Sequence, residues 1–402
     1  MMVKPMVAVA TARQAVSFVL GAVAALTLVM LVQYRAPAAG LSRARTPGQF
    51  SGWRLSDEQY HRRNGTARQA PPVVEAGNNV LHHHQANATL KANSSAHGVA
   101  VPSDHPSRDH QGKGMKDAKE FRGLAEAVAR TAMDDRTVII TCVNQAWAAP
   151  GSLLDLFLES FHIGEGTARL LPHVLVVSMD AAAHARCQAV HQHCYHYTMP
   201  GLNMDFASAK FFGSKEWLEM VWSKLKLQRH VLELGYGFLF TDVDILWFRD
   251  PFKHITAYAD MMVSSDVYFG DPDNIGNFPN TGFFHVKPNH RTIAMTKLWH
   301  ESRSRYPGAN EQPVFNMIKK QLVAELGVRL QYLDTAFMGG FCSYGKDLRK
   351  IVTMHANCCV GLNNKMKDLR SVLDDWKNYT RLPHWEKHRA KWTVPGACIK
   401  VK

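Results

Sequence analysis

Downstream of Asp135 the chain alternates short apolar runs with longer stretches of helical periodicity, and this alternation restricts the fold more than any other property. Strand candidates are Thr137–Val143, His173–Ser178, Gly237–Asp242, Asp260–Ser264, Gly282–Val286, Val328–Leu333 and Ile351–His355. Between them Ser152–Phe161, Ala181–Val190, Lys215–Leu234, Arg291–Ser304, Gln312–Glu325 and Lys365–Trp376 place apolar residues at 3.6-like spacing and read as helices. Strands alternating with helices predict an α/β fold, a mostly parallel sheet flanked by helices on both faces. Ligands are then expected beyond the carboxyl ends of the strands. An amphipathic stretch over 116–133 leads into this domain, which we bound at 135–402.

The amino-terminal third has a different character. No charge falls between Arg13 and Arg35, and the apolar stretch Val16–Val32 sits at the short end of what spans a bilayer. We read residues 14–34 as an uncleaved transmembrane signal anchor and 1–13 as a cytosolic tail. Arg35, Arg43 and Arg45 follow so closely that flanking charge barely orients the segment. A cleaved signal peptide is the competing reading, since Ala36-Pro37-Ala38 resembles a cleavage site. Residues 35 to about 114 are rich in Ala, Asn, Ser, Gly, Pro and His and cannot build a core, and the stretch 35–134 as a whole reads as a flexible lumenal stem. His82-His83-His84 within it lacks carboxylate or cysteine partners and reads as a solvated cluster.

Glycosylation sequons begin at Asn64, Asn87, Asn93 and Asn378, all downstream of the apolar segment, as a lumenal single-pass type II protein would show. All 7 cysteines also lie downstream, so an oxidising lumen allows three bridges with one thiol left over. Cys187 with Cys194 is the favoured local pair, and Cys142, inside an apolar run, is expected as a buried free thiol. A net charge of +13 raises nucleic acid as a partner, but no basic helix with interleaved aromatics accompanies it, and the anchor argues against that partner. A basic surface suits an anionic membrane face or an acidic cell-wall polymer.

The strand candidate at 237–242 runs into Asp242 and Asp244. Alternate residues of a strand point the same way, so both carboxylates are expected on one side at the carboxyl end of a buried strand. Two hard oxygen ligands there suit Mg²⁺ or Mn²⁺ carrying substrate phosphates. The same residues also serve as a turn or helix cap.

At this point the chain resembles the plant Golgi glycosyltransferases of family 77, nucleotide-diphospho-sugar transferases with a GT-A type, Rossmann-like fold. The likeness runs from about Asp135 to Tyr379. It rests on Met220-Val-Trp-Ser-Lys224, the block Gly235–Ile245, Asn280-Thr-Gly-Phe283, Glu311-Gln312 and the block Thr353–Lys365 with its His-Ala-Asn-Cys-Cys core. The resemblance implies a type II Golgi membrane enzyme that moves arabinose, xylose or galactose from a UDP-sugar to a cell-wall glycan or glycoprotein with retained anomeric configuration. It implies Asp242, Asp244 and His355 as metal ligands, and an imidazole ligand favours Mn²⁺ over Mg²⁺. Lys365, Gly361 and Lys224 would approach the diphosphate, and Asn144 and Asp180 the base and ribose, with helix capping as the alternative for the last two. Asp242 would also lie near the ribose. Asn280, Glu311 and Gln312 would lie near the transferred sugar, although the family pattern has Asp where this chain has Glu311. Trp217, Trp222 and Trp247 are expected in the core, with Trp247 the best sugar platform of the three.

Two other readings compete. Hydrophobic residues followed by Asp-x-Asp also mark the nucleophile strand of haloacid-dehalogenase-like phosphatases, but that strand opens its domain, and about 100 residues of the folded domain precede this one. A catalytically inactive lumenal glycan-binding subunit would keep the fold without turnover.

Overall fold

A computed structural model describes residues 120–198, 214–343 and 347–399. The proposed anchor over 14–34, His82–His84 and the sequons at Asn64, Asn87 and Asn93 lie outside these residues. Among the described helices none is long and apolar enough to cross a membrane.

The folded body begins with helix α1 (Leu124–Thr131), whose Leu124, Ala127 and Val128 are buried in the core. Strand β1 (Thr137–Val143) follows, buried at every position as a central parallel strand must be. A short helix α2 (Gln145–Ala148) and α3 (Leu153–Ile163) lead to β2 (Val174–Ser178), α4 (Ala181–Val190) and β3 (Cys194–His196). The long helix α5 (Lys215–Glu233) returns to β4 (Gly237–Thr241), and β5 (Ile245–Trp247) follows after three residues. Then come β6 (Met261–Val267), β7 (Phe278–Val286), α6 (His290–Glu301), α7 (Glu311–Leu326), β8 (Leu330–Tyr332), β9 (Met338–Gly340), β10 (Thr353–His355) and α8 (Leu362–Arg381).

Seven strands form one sheet in the order β3-β2-β1-β4-β7-β6-β8. Every neighbouring pair is parallel except the two that β7 makes, with β4 and β6. Side-chain alternation sorts the sheet into two cores. Ile139, Val143 and Leu239 pack with α3 and α8 on one face, while Val138, Ile140, Phe238 and Phe240 pack with α1, α5, α6 and α7 on the other. The chain leaves β1 toward β2 on one side and later returns to β4 on the other. That makes β1 the switch point, where a crevice opens at the strands' carboxyl ends.

A second sheet, β5-β10-β9, sits against this crevice. Its antiparallel ladder pairs Thr353 with Trp247, Met354 with Leu246 and His355 with Ile245. Two expectations change here. Strand β4 stops at Thr241, so Asp242 and Asp244 occupy the turn that joins the two sheets rather than a strand. Strand β7 starts at Phe278, so Asn280-Thr281-Gly282 lies inside it rather than in front of it.

The three disulfides are Cys187–Cys194, Cys342–Cys358 and Cys359–Cys398, and Cys142 is the buried free thiol among the described residues. Burial pushes that thiol up to about 12.

Candidate active site

The turn after β4 is held by backbone: the Asp242 amide donates to the Gly282 carbonyl at 2.7 Å, and the Ile245 amide donates to the Asp242 carbonyl at 3.2 Å. From β10 the imidazole of His355 reaches over, its Nε2 lying 3.3 Å from Asp244 Oδ1 and 4.0 Å from Asp242 Oδ2. One ligand atom from each of Asp242, Asp244 and His355 falls within 4.8 Å of the others. Gly282 makes the approach possible, because a Cβ there would stand 2.6 Å from both Asp242 Oδ2 and His355 Cε1.

Two lysines flank the trio. Lys365, on the first turn of α8, donates from Nζ to Asp244 Oδ2 and, at 3.0 Å, to the Ala356 carbonyl. Gly361 precedes that helix at φ +92°, a conformation that disfavours any side chain. Lys224 on α5 is largely enclosed, its side chain 12% exposed, with Nζ 3.7 Å from Asp242 Oδ1 and 3.5 Å from Glu311 Oε1. It also lies 4.7 Å over the Phe240 ring.

The charges respond to this crowding. Partial burial pushes the Asp242 carboxyl above the usual carboxylate range; Lys224 offsets only part of that, and the neighbouring Asp244 adds to it. Burial also works against a charged Asp244, yet Lys365 and His355 hold its carboxyl well below the usual range. Burial works against a charged Lys224, but Asp242 and Glu311 hold its ammonium above the ordinary lysine range. Asp242 retains a side chain 36% exposed, which leaves it open to an incoming ligand.

The remaining sequence candidates fall into two sets. Asn144 caps α2, accepting from the Trp147 amide at 3.1 Å, and Asp180 caps α4, accepting from the Ala183 amide at 2.8 Å. Asp180 also accepts from the Gln145 amide at 2.7 Å, so both residues meet at the carboxyl ends of β1 and β2. The Glu311 carboxylate is buried against Lys224, behind Asp242, while the adjacent Gln312 accepts from the Thr281 amide at 3.1 Å and donates to Asp266 at 3.0 Å. Asn280 likewise donates to Asp266, at 2.8 Å. Trp247 is fully buried and stacks on Phe161 at 4.6 Å between centroids, so it packs the core and offers no sugar platform.

Sequence reasoning passed over Asp266 and Asn357. Asn357 sits inside the His-Ala-Asn-Cys-Cys block and donates to Asp266 at 2.8 Å, which marks it by position alone. A cavity of about 10 Å³, room for one water, lies beside these groups and is lined by Ser264, Ser265, Asn280, His355 and Asn357.

A model of the nucleotide-diphospho-sugar transferase family matches residues 169–369, which takes in β4, β7, β10 and both lysines. The chain belongs to that family. The transferase is 41% identical to the Arabidopsis thaliana protein At4g15970 over 285 residues, or 70% of this chain and 75% of the relative. An Arabidopsis thaliana UDP-D-xylose:L-fucose alpha-1,3-D-xylosyltransferase is 25% identical over 193 residues, 41% of this chain and 51% of its own. The crystal structure of mouse xyloside xylosyltransferase 1 superposes at a TM-score of 0.35 with 15% identity over 55% of this chain and 98% of that one. Family membership agrees with the mostly parallel α/β sheet described above and removes the phosphatase reading.

Proposed function

We propose that this transferase is a retaining, divalent-metal-dependent glycosyltransferase that moves a sugar from a UDP-sugar to a cell-wall glycan or glycoprotein. The observation that carries the reading is the convergence of Asp242, Asp244 and His355 at the mouth of the switch-point crevice, with Lys365 beside them. Two carboxylates and an imidazole are a donor set for Mn²⁺ or Mg²⁺, with the nitrogen favouring Mn²⁺. Bound there, the ion would supply Lewis-acid neutralisation of the charge that develops on departing UDP.

The chain's own groups do the rest. Lys365 offers an ammonium to the diphosphate from the start of α8, whose free amides add a favourable dipole end. Lys224 fixes the Asp242 carboxylate from the core side, so that ligand is pre-oriented. Asn280 and Gln312, held on β7 and α7, suit the hydroxyls of the donor sugar. A xylosyltransferase among the relatives supports a pentose, xylose or arabinose, over galactose. The apolar stretch Val16–Val32 and the downstream sequons support a single-pass type II Golgi protein with a lumenal transferase domain.

Incubating the purified protein with UDP-xylose, UDP-arabinose and UDP-galactose plus MnCl₂ tests this through UDP release. Asp244→Ala and His355→Ala should each abolish metal-dependent release while circular dichroism stays unchanged. Full activity in either folded variant refutes the metal assignment, and no turnover in the unaltered protein favours the inactive glycan-binding subunit.

A further inference from the structure

We propose that Asp266 is a positioning residue of the transfer site: its carboxylate dictates which way three amide side chains face, and so builds the polar surface that orients the donor sugar. The inference rests on the transferase reading above. Asp266 lies at the end of β6, half-buried, one residue before the strand ends. An ionised carboxylate only accepts hydrogen bonds, so any amide that reaches it must present its NH₂ end. Three do. Asn280 Nδ2 and Asn357 Nδ2 each donate to Oδ1 at 2.8 Å, and Gln312 Nε2 donates to Oδ2 at 3.0 Å.

The far end of each amide confirms the orientation. Asn280 Oδ1 accepts from the Gly282 amide at 2.9 Å, Gln312 Oε1 from the Thr281 amide at 3.1 Å, and Asn357 Oδ1 from the Cys342 amide at 3.0 Å. Turning any one of the three would set oxygen against carboxylate and NH₂ against N–H, losing both bonds. Each NH₂ keeps a second hydrogen beyond the one given to Asp266. The cluster therefore offers a ligand one acceptor-only carboxylate and a set of fixed N–H donors, the complement of sugar hydroxyls that both donate and accept.

A purely local role, such as a turn or cap, would draw on neighbours in the chain. Here the partners stand 14, 46 and 91 residues away, on β7, on α7 and just after β10. They also abut the metal ligands. Gly282, held by Asn280, is the residue that lets Asp242 and His355 close together, and Asn357 follows His355 by two positions. Cys342, held by Asn357, is bonded to Cys358, so the same carboxylate ties the disulfide loop to the site.

Asp266→Asn keeps the shape but replaces one acceptor oxygen by a donor, so at least one amide must turn and release Gly282, Thr281 or Cys342. The test measures UDP-sugar turnover and, separately, Mn²⁺-dependent binding of UDP, which lacks the transferred sugar and should not sense the cluster. Expected is a fall in kcat of about 100-fold, the scale of a misplaced reacting group, with the Kd for UDP within about twofold. A kcat within about threefold of the unaltered protein overturns the proposal, as does a loss of kcat matched by an equal loss of UDP affinity. Should Asp266→Asn not fold by circular dichroism, Asn357→Ala removes a single arm and should lower kcat about tenfold with UDP binding intact. An unchanged kcat in that variant overturns the proposal equally. An unaltered protein with no turnover sinks the transferase reading as well, whereas an active protein with an equally active variant sinks this inference alone.

Discussion

Gly282→Ala is the sharpest probe of the site, because it adds one carbon and removes nothing. The Cβ would lie 2.6 Å from Asp242 Oδ2, 2.6 Å from His355 Cε1 and 2.9 Å from Asn280 Oδ1, where ordinary contact starts at 3.4 Å. Reaching that contact means opening the carboxylate–imidazole approach by about 0.8 Å on each side, close to the 1 Å displacement that costs about 100-fold in rate. Backbone strain does not enter, since Gly282 does not lie at positive φ. The overpacking itself should destabilise the fold by about 1–3 kcal/mol. The assay combines UDP release, a Mn²⁺ titration monitored by UDP binding, and thermal unfolding. Turnover should fall about 100-fold and the metal requirement should rise, while the fold persists. Gly396→Ala, whose added carbon meets its nearest atom at 3.9 Å, is the control and should change nothing. Unaltered metal affinity and turnover in Gly282→Ala would show that Asp242 and His355 do not act together.

Three further outcomes follow from the rest of the molecule. His285 and His300 are lowered to about 4 by burial, with Lys287 assisting at the first and Lys226, Arg303 and Arg229 at the second. Their folded values lie below the unfolded one, so the unfolded chain binds more protons between pH 6.5 and 4, and stability should drop with acidification by up to about 2.7 kcal/mol per pH unit. His285→Asn should flatten that limb in a plot of Tm against pH; an unchanged slope counts against the assignment. The Cys359–Cys398 bridge closes a loop of sequence separation 39, which chain entropy values at about 4 kcal/mol, so replacing both cysteines by serine should lower Tm by several degrees. Cys142 should resist a maleimide in the native protein and react on denaturation, and fast native labelling would contradict its burial and raised pKa.

The larger sheet was legible because its strands are long and apolar. Strand β1 has the expected bounds Thr137–Val143, and α4 the expected bounds Ala181–Val190. Strands β3, β5 and β9 span three residues each and no candidate covered them, whereas β8 and β10, equally short, sit within the longer patterned runs Val328–Leu333 and Ile351–His355, so of the second sheet only β10 was visible. Asp266 fell outside its strand candidate because register shifts at Val263/Ser264 and Ser265/Val267 break the alternation that would have extended it. Asp242, Asp244 and His355 were nominated by residue type and block, but their mutual reach depends on the pairing of β5 with β10, a contact between distant segments. The pairing of Lys224 with Glu311 likewise needs α5 and α7 gathered on either side of α6 into one core, which no local pattern announces. Trp247 packs the core as expected, and only its choice as sugar platform fails, because adjacency in sequence to the aspartate turn says nothing about which side of a strand an indole takes.

The ladder between β5 and β10 makes the ligand set a matter of counting. His355 stands opposite Ile245, the residue after Asp244, and a slip of one position would bring Met354 or Ala356 to that place and turn the imidazole to the other face of the sheet. An added or missing residue within 353–355 would therefore disarm the chain outright, even with every acidic group still present. Lys365 and Asp244, 121 residues apart, depend on the same alignment, so length changes between them are harmless only where a loop can swallow them before the three rungs begin.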